Sequence, residues 1–372
     1  MSQSYPITDV AVSETPLAAQ LAAHNPTPLE LKMHRGAQTP LQFHTKAAEL
    51  ESLVHAAGVF DLGYRTFLRA VGKDRVRWLN GMITQTVKGL SPGQAGYTLV
   101  LNPQGRIQGD GEISFHEDFL LLETDRSQSE RLLAHLRRFI IMDDVKLEEL
   151  DASTTALGIA GPRAAEILAR LGGKVPEEER FAPTELAGVE VTLAHRYGPL
   201  APCFAIQVAA EKGLILWNAL IASGALACGA AALDDLRVLE GVPRFEVDFS
   251  DKHLPQETNL ERALNFTKGC YIGQEIVERI RARATVHRSL RQFDLQGSAP
   301  QLGPGEKVEL RAGEAAVGEL TSVAEFALPE FTGALALGLV RVEALERSET
   351  EPLRYAGGTA VPRPGLPQAA QL

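Results

Sequence analysis

The sequence predicts an α+β chain of three modules, with antiparallel mixed sheets and a C-terminal β-barrel. Three observations lead there. Between residues 59 and 123 the short apolar runs are joined by tight turns, which gives hairpins and not a doubly wound sheet. A fresh strand–turn–helix pattern starts at residue 155. Beyond His287 the chain breaks into short strands separated by Gly/Pro turns, as in a small barrel or sandwich.

Residues 1–45, with Pro6, Pro16, Pro26, Pro28 and Pro40, read as a loosely packed N-terminal arm holding one short helix near 16–23. From Lys46 the spacing of Ala47, Leu50, Leu53 and Val54 is helical, and Gly58 is the stop. Strands follow at 59–62 and 65–71, then an amphipathic helix at 73–83 and a strand at 96–101. Asn102-Pro103-Gln104-Gly105 is turn chemistry, with Pro at the second position and Gly at the fourth. Strands at 106–115 and 119–123 and a helix at 127–139 complete this unit. Residues 46–154 are expected to form one α+β unit, and 155–229 a second. The second begins with a strand at 155–161. Pro162 then suits the first turn of a helix at 163–171. A charged connector spans 174–185, strands 189–194 and 203–208, and a helix 214–222. The helix at 231–241 is ended by Pro243. Strands at 290–295, 307–310, 315–322 and 334–340 assign 287–351 to a barrel, and the Pro/Gly-rich 352–372 reads as a loose tail.

The chain has 372 residues, 45% of them hydrophobic, which is enough for real cores in two or three domains. A net charge of −10 argues against a nucleic-acid binder that relies on overall basicity. The three cysteines, Cys203, Cys228 and Cys270, have no paired spacing, which excludes a C-x-x-C or Cys/His metal motif and fits a reducing cytoplasm. No secretory leader is legible, and no run of about 18 apolar residues that would span a membrane.

One octet stands apart: Lys268-Gly269-Cys270-Tyr271-Ile272-Gly273-Gln274-Glu275. Two glycines bracket a thiol, and each supplies either an unusual φ or a close backbone approach. From Gln274 the pattern is helical, and Glu275 can reach Arg279 at i,i+4. Lys268 and a helix N-terminus would both favour a thiolate at Cys270. The alternative is a small buried hydrophobe, the ordinary state of a single cysteine.

The octet resembles the K-G-C-Y/F-x-G-Q-E signature of the YgfZ-type folate-binding proteins, a branch of the superfamily of the glycine-cleavage T-protein (aminomethyltransferase). The Pro255-Gln256-Glu257-Thr258-Asn259-Leu260 run is similar to the same family, and so are Leu236-Arg237 with Glu240-Gly241. The resemblance spans residues 55–342 and implies a T-protein-like fold in which 46–154 and 230–286 bind folate. It implies tetrahydrofolate or a derivative as cofactor and iron–sulfur enzymes or assembly proteins as partners, including tRNA-modifying enzymes. No direct nucleic-acid or membrane contact is expected. Cys270 and Lys268 become candidate catalytic residues, and Asn102, Arg106, Asp110, Arg237 and Gln274 candidate folate contacts. Two departures separate the chain from an aminomethyltransferase. Gly109 stands where the T-protein has the first of two aspartates, whose carboxylate would orient a nitrogen or stabilise a cationic centre. Residues 195–203 contain no glutamate where the T-protein loop has one to grip the pterin. A true aminomethyltransferase and a non-catalytic scaffold are the alternative readings.

Overall fold

The computed structural model describes residues 14–24, 29–150, 153–283 and 286–364. In chain order, α1 (Pro16–His24) precedes the hairpin β1 (Leu31–His34) and β2 (Ala37–Pro40). Next come α2 (Lys46–His55), β3 (Gly58–Asp61), β4 (Arg65–Val71), α3 (Arg75–Met82), β5 (Ala95–Leu101), β6 (Ile107–Phe115), β7 (Leu120–Asp125), α4 (Arg126–Arg137) and β8 (Lys146–Glu149). The second unit holds β9 (Thr154–Ala160), α5 (Ala164–Arg170), β10 (Phe181–Leu186), β11 (Val189–Arg196), β12 (Cys203–Ala209), α6 (Gly213–Ala222), β13 (Leu226–Cys228) and α7 (Ala230–Leu239). An irregular stretch with short helical turns at Pro255–Glu257 and Glu261–Ala263 leads to α8 (Gln274–Arg283). The last unit is β14 (Arg288–Gly297), β15 (Val308–Ala312), β16 (Ala315–Ala327), β17 (Thr332–Arg341), α9 (Val342–Glu346), β18 (Leu353–Tyr355) and β19 (Gly358–Pro362).

The strands form a five-stranded sheet β5-β6-β7-β4-β8, a six-stranded sheet β10-β11-β12-β9-β3-β13, and a closed barrel β14-β17-β16-β15-β18-β19. The fold is therefore α+β with an antiparallel C-terminal barrel, as expected. α4 and α3 cover the first sheet through Leu132, Leu136, Trp78 and Leu79. α5 and α6 cover the second through Ile167, Leu168, Leu216 and Trp217.

Four boundaries differ from the sequence reading. The described part of the N-terminal arm, 14–24 and 29–45, is not loose. α1 buries Leu17, Ala18 and Leu21 in the core of the second sheet, and Gln20 bonds Ala210 O and Leu214 N. β3, expected in the first domain, lies between β9 and β13 in the second sheet. All four of its residues are buried, as a central strand requires. Residues 353–362 of the tail expected from residue 352 close the barrel, because Leu353, Tyr355 and Ala360 point into its core while the glycines and prolines around them make the turns. The charged connector at 174–185 also runs into β10, an edge strand whose alternate residues are solvated. β8 and β13, three or four residues long, carry no periodicity of their own to read.

Candidate functional site

The octet folds as a turn sewn onto the end of α3. Ile272 N donates to Gly81 O at 2.9 Å, and Asn265 N to Thr84 O at 3.1 Å. Asn265 Oδ1 accepts the N–H groups of Thr267 and Lys268. Lys268 does not turn toward the thiol. Its Nζ donates to Asn80 O, Ile83 O and Gln85 O, each at 2.7 Å, which uses all three of its protons. Burial pushes this amine down to about 7, while the three carbonyls favour the ammonium that alone can serve them together.

The two glycines differ in kind. Gly273 has φ +83°, and a Cβ there would stand 2.7 Å from Asn102 O. Gly269 has neither a positive φ nor any atom within 4 Å of a would-be Cβ, so the close approach expected of it is absent. Cys270 is exposed and has no hydrogen-bond partner among the described residues. The other two thiols are inert by comparison. Burial pushes Cys203 up to about 12 and Cys228 higher still. α8 starts at Gln274, four residues beyond the sulfur, so the helix mouth is not at the thiol itself. The Glu275–Arg279 pair does not form. Both side chains are exposed, while Arg281 pairs with Glu278 and lies over the Phe266 ring.

The second half of the site is the face of β6. Along this strand Gln108, Asp110 and Glu112 are half-buried, whereas Ile107, Gly109 and Gly111 are buried. Gly109 thus faces α4, and a Cβ there would meet Gln128 Oε1 and Leu132 Cδ2 at 2.8 Å. The carboxylate expected to be missing at 109 could not reach this face. Asp110 can. Its Oδ2 accepts the Tyr97 hydroxyl at 2.6 Å and its Oδ1 accepts Gln128 Nε2 at 2.8 Å. Burial, then Asp125, raise its pKa, opposed by those two bonds and by Arg65. An apolar cluster including Tyr97, Leu101, Ile107, Phe245, Tyr271 and Val277 joins this strand to the octet.

Three expected contacts are committed inside the protein. Asn102 Oδ1 accepts the N–H groups of Gln104 and Arg106 and so shapes the β5–β6 turn. Arg106 donates to Lys252 O at 2.6 Å. Arg237 is buried and bonds Asp234, Asp248 and Ser322, tying α7 to the barrel. Gln274 is half-buried, and its carboxamide has no partner among the described residues.

Several site residues were not legible in the sequence. Arg262 lies between the rings of Tyr97, at 4.2 Å, and Tyr197, at 4.4 Å. It ends a chain of alternating charges: Arg35, Asp125, Arg65, Glu123, Arg196, Glu112, Arg262. Glu240, the C-cap of α7, meets the loop that lacks a glutamate, accepting the N–H of Leu200. Burial pushes its carboxyl up to about 8. Among the described residues, no group of three or more His, Cys, Asp or Glu is placed to hold a metal ion, and no helix is long and apolar enough to cross a membrane.

The GCVT N-terminal domain family matches residues 28–268, close to two thirds of the 372-residue chain. The chain belongs to this family. Among GCVT-domain relatives it is 28% identical over 281 residues to an aminomethyltransferase of Nostoc sp., covering 70% of this chain and 72% of that one. It is 30% identical over 254 residues to an aminomethyltransferase of Geobacillus kaustophilus, covering 66% and 70%. One solved GCVT-family structure, glycine cleavage system aminomethyltransferase T from Bartonella henselae, superposes with a TM-score of 0.83 at 20% identity, over 96% of this chain and 98% of that one. At that identity the likeness speaks for the fold.

Proposed function

We propose that this GCVT-domain protein binds tetrahydrofolate or a derivative and supports iron–sulfur enzymes, including tRNA-modifying ones, in the manner of the YgfZ-type proteins that its octet resembles. One observation carries the reading. The octet folds as a glycine-locked turn that leaves Cys270 exposed, while the other two cysteines are half-buried or buried. Acceptors elsewhere in the fold suit a folate. The Asp110 and Glu240 carboxyls can accept ring N–H groups, while Tyr97 and Tyr197 hold the Arg262 guanidinium between their rings. Asp110 and Gln274 are the cofactor contacts of this reading, Lys268 is a strut, and Asn102, Arg106 and Arg237 hold the walls. The cofactor would supply one-carbon chemistry. The chain's own part is to accept hydrogen bonds at Asp110 and to present a thiol at Cys270.

Titration of the purified full chain with tetrahydrofolate is expected to show saturable binding, and its absence would refute the binding half. A Cys270→Ala variant that folds normally is expected to lose support of iron–sulfur-dependent tRNA modification in cells. An unimpaired variant removes the thiol's role.

A second reading, aminomethyltransferase activity, is favoured by the names of the relatives and by Asp110, which faces the site without help from residue 109. Turnover with an aminomethyl-loaded lipoyl carrier would establish it. Folate binding without turnover keeps the first reading.

A further inference from the structure

We propose that Gln128 is the positioning residue of this site: it fixes the orientation of the Asp110 carboxyl and keeps that carboxyl an acceptor. Gln128 lies in the first turn of α4 and is 1% exposed. A buried carboxamide is costly unless bonded, and both of its ends are spent on one residue. Its Oε1 accepts Asp110 N–H at 3.0 Å, and its Nε2 donates to Asp110 Oδ1 at 2.8 Å. The opposite amide orientation would set donor against donor and acceptor against acceptor, so the network admits one arrangement.

The backbone around Asp110 is built for this contact. The β6–β7 pairing runs from Phe115 to Glu112 and stops there. Asp110 has therefore lost its β7 partner. Gln128 takes its N–H, and the Thr124 hydroxyl donates to its carbonyl at 2.8 Å. The flanking glycines make room. A Cβ at 109 would press on Gln128 Oε1 at 2.8 Å, and one at 111 on Glu123 O at 2.4 Å. Gly-Asp-Gly is thus the imprint of α4 and β7 closing on the strand. With Gln128 on Oδ1 and Tyr97 on Oδ2, each carboxylate oxygen keeps a lone pair for a ligand. The titratable groups acting on Asp110 come from every side: Tyr97 on β5, Arg65 on β4, Asp125 on β7 and Glu246 beyond α7.

The test is a carboxyl carbon-13 NMR titration of Asp110 in the unliganded full chain. Gln128→Leu removes a donor to the charged form, and the Asp110 midpoint is expected to rise by about one pH unit. Gln128→Glu keeps the side chain's length and places a second carboxyl against the first, so the pair should show one clearly raised midpoint; this variant decides if Gln128→Leu does not fold. An Asp110 midpoint unmoved in a folded variant overturns the proposal. A second arm rests on the folate reading: tetrahydrofolate affinity should fall at least about tenfold in Gln128→Leu, and its pH profile should move with the Asp110 midpoint. Absence of folate binding by the unaltered protein would remove that reading and leave the titration to decide on Gln128.

Discussion

Gly273 and Gly105 touch backbone to backbone: a Cβ on Gly273 would lie 3.0 Å from Gly105 Cα, and one on Gly105 would lie 2.8 Å from Ile276 Cβ. The turn between β5 and β6 is thereby clamped to the start of α8, and the strand carrying Asp110 becomes rigidly tied to the loop carrying Cys270. Both glycines have positive φ, +83° at Gly273 and +72° at Gly105.

Gly273→Ala combines a disfavoured φ with a clash against fixed backbone, so a loss of about 1–3 kcal/mol is expected. Gly269→Ala meets neither obstacle and should stay within about 0.5 kcal/mol of the unaltered protein. Urea unfolding of the two variants makes the comparison. Equal losses would mean that the clamp is not where the strain resides.

Lys268→Met leaves the carbonyls of Asn80, Ile83 and Gln85 without their shared donor. A loss of about 1–3 kcal/mol is expected. The rate at which iodoacetamide modifies Cys270 should stay within about twofold, because the ammonium is spent elsewhere. A sharp fall in that rate with stability intact would show instead that the charge acts on the sulfur.

What the sequence told, and what it withheld, follows from how far apart the partners lie. The helices α4 and α7 and the Asn102–Gly105 turn were legible because their signals, 3.6-residue spacing and turn chemistry, are local. The alternation of Gln108, Asp110 and Glu112 with Ile107, Gly109 and Gly111 was also present in the sequence, and it already placed 109 and 110 on opposite faces. The positions of β3 and β19 were not legible. β3 pairs with β9 almost a hundred residues on, and β19 with β14 at the start of the barrel. Lys268 misled because sequence proximity to Cys270 outweighed three acceptors on a distant segment.

Leu353 is fully buried in the barrel although it follows Pro352 in a segment of loop-like composition. Leu353→Ala should cost about 2–5 kcal/mol, since the closed barrel cannot collapse around the gap. Thermal unfolding of the variant checks this. A loss below about 0.5 kcal/mol, the range of surface substitutions, would mean that the strand is not seated.

Arg65 bridges Glu123 and Asp125, and both carboxylates are buried. In Arg65→Met the helper cations Arg196 and Arg35 remain, but each acid loses a partner. Breaking such a buried pair costs about 3–5 kcal/mol. The loss should exceed that of Arg170→Met, whose partner Glu166 is exposed. Similar losses in the two variants would deny the charge chain its part in joining the sheets.

Glu240 makes stability depend on pH in a defined direction. Burial raises its carboxyl from 4.5 to about 8, against the opposing pull of the Leu200 N–H and Arg262. Between those values the folded chain holds a proton that the unfolded chain has released. Its contribution is therefore complete below the unfolded value and is lost as pH rises through about 8. Glu240→Gln keeps the shape and cannot titrate. Urea midpoints of both proteins from about pH 5 to about pH 8 should show the unaltered protein weakening more steeply than the variant. Other groups raised by burial, such as Asp61, are common to both and cancel in the difference. A constant offset across the range would show that Glu240 is ionised in the folded protein throughout, and that the carboxyl meeting Leu200 is an ordinary surface acid.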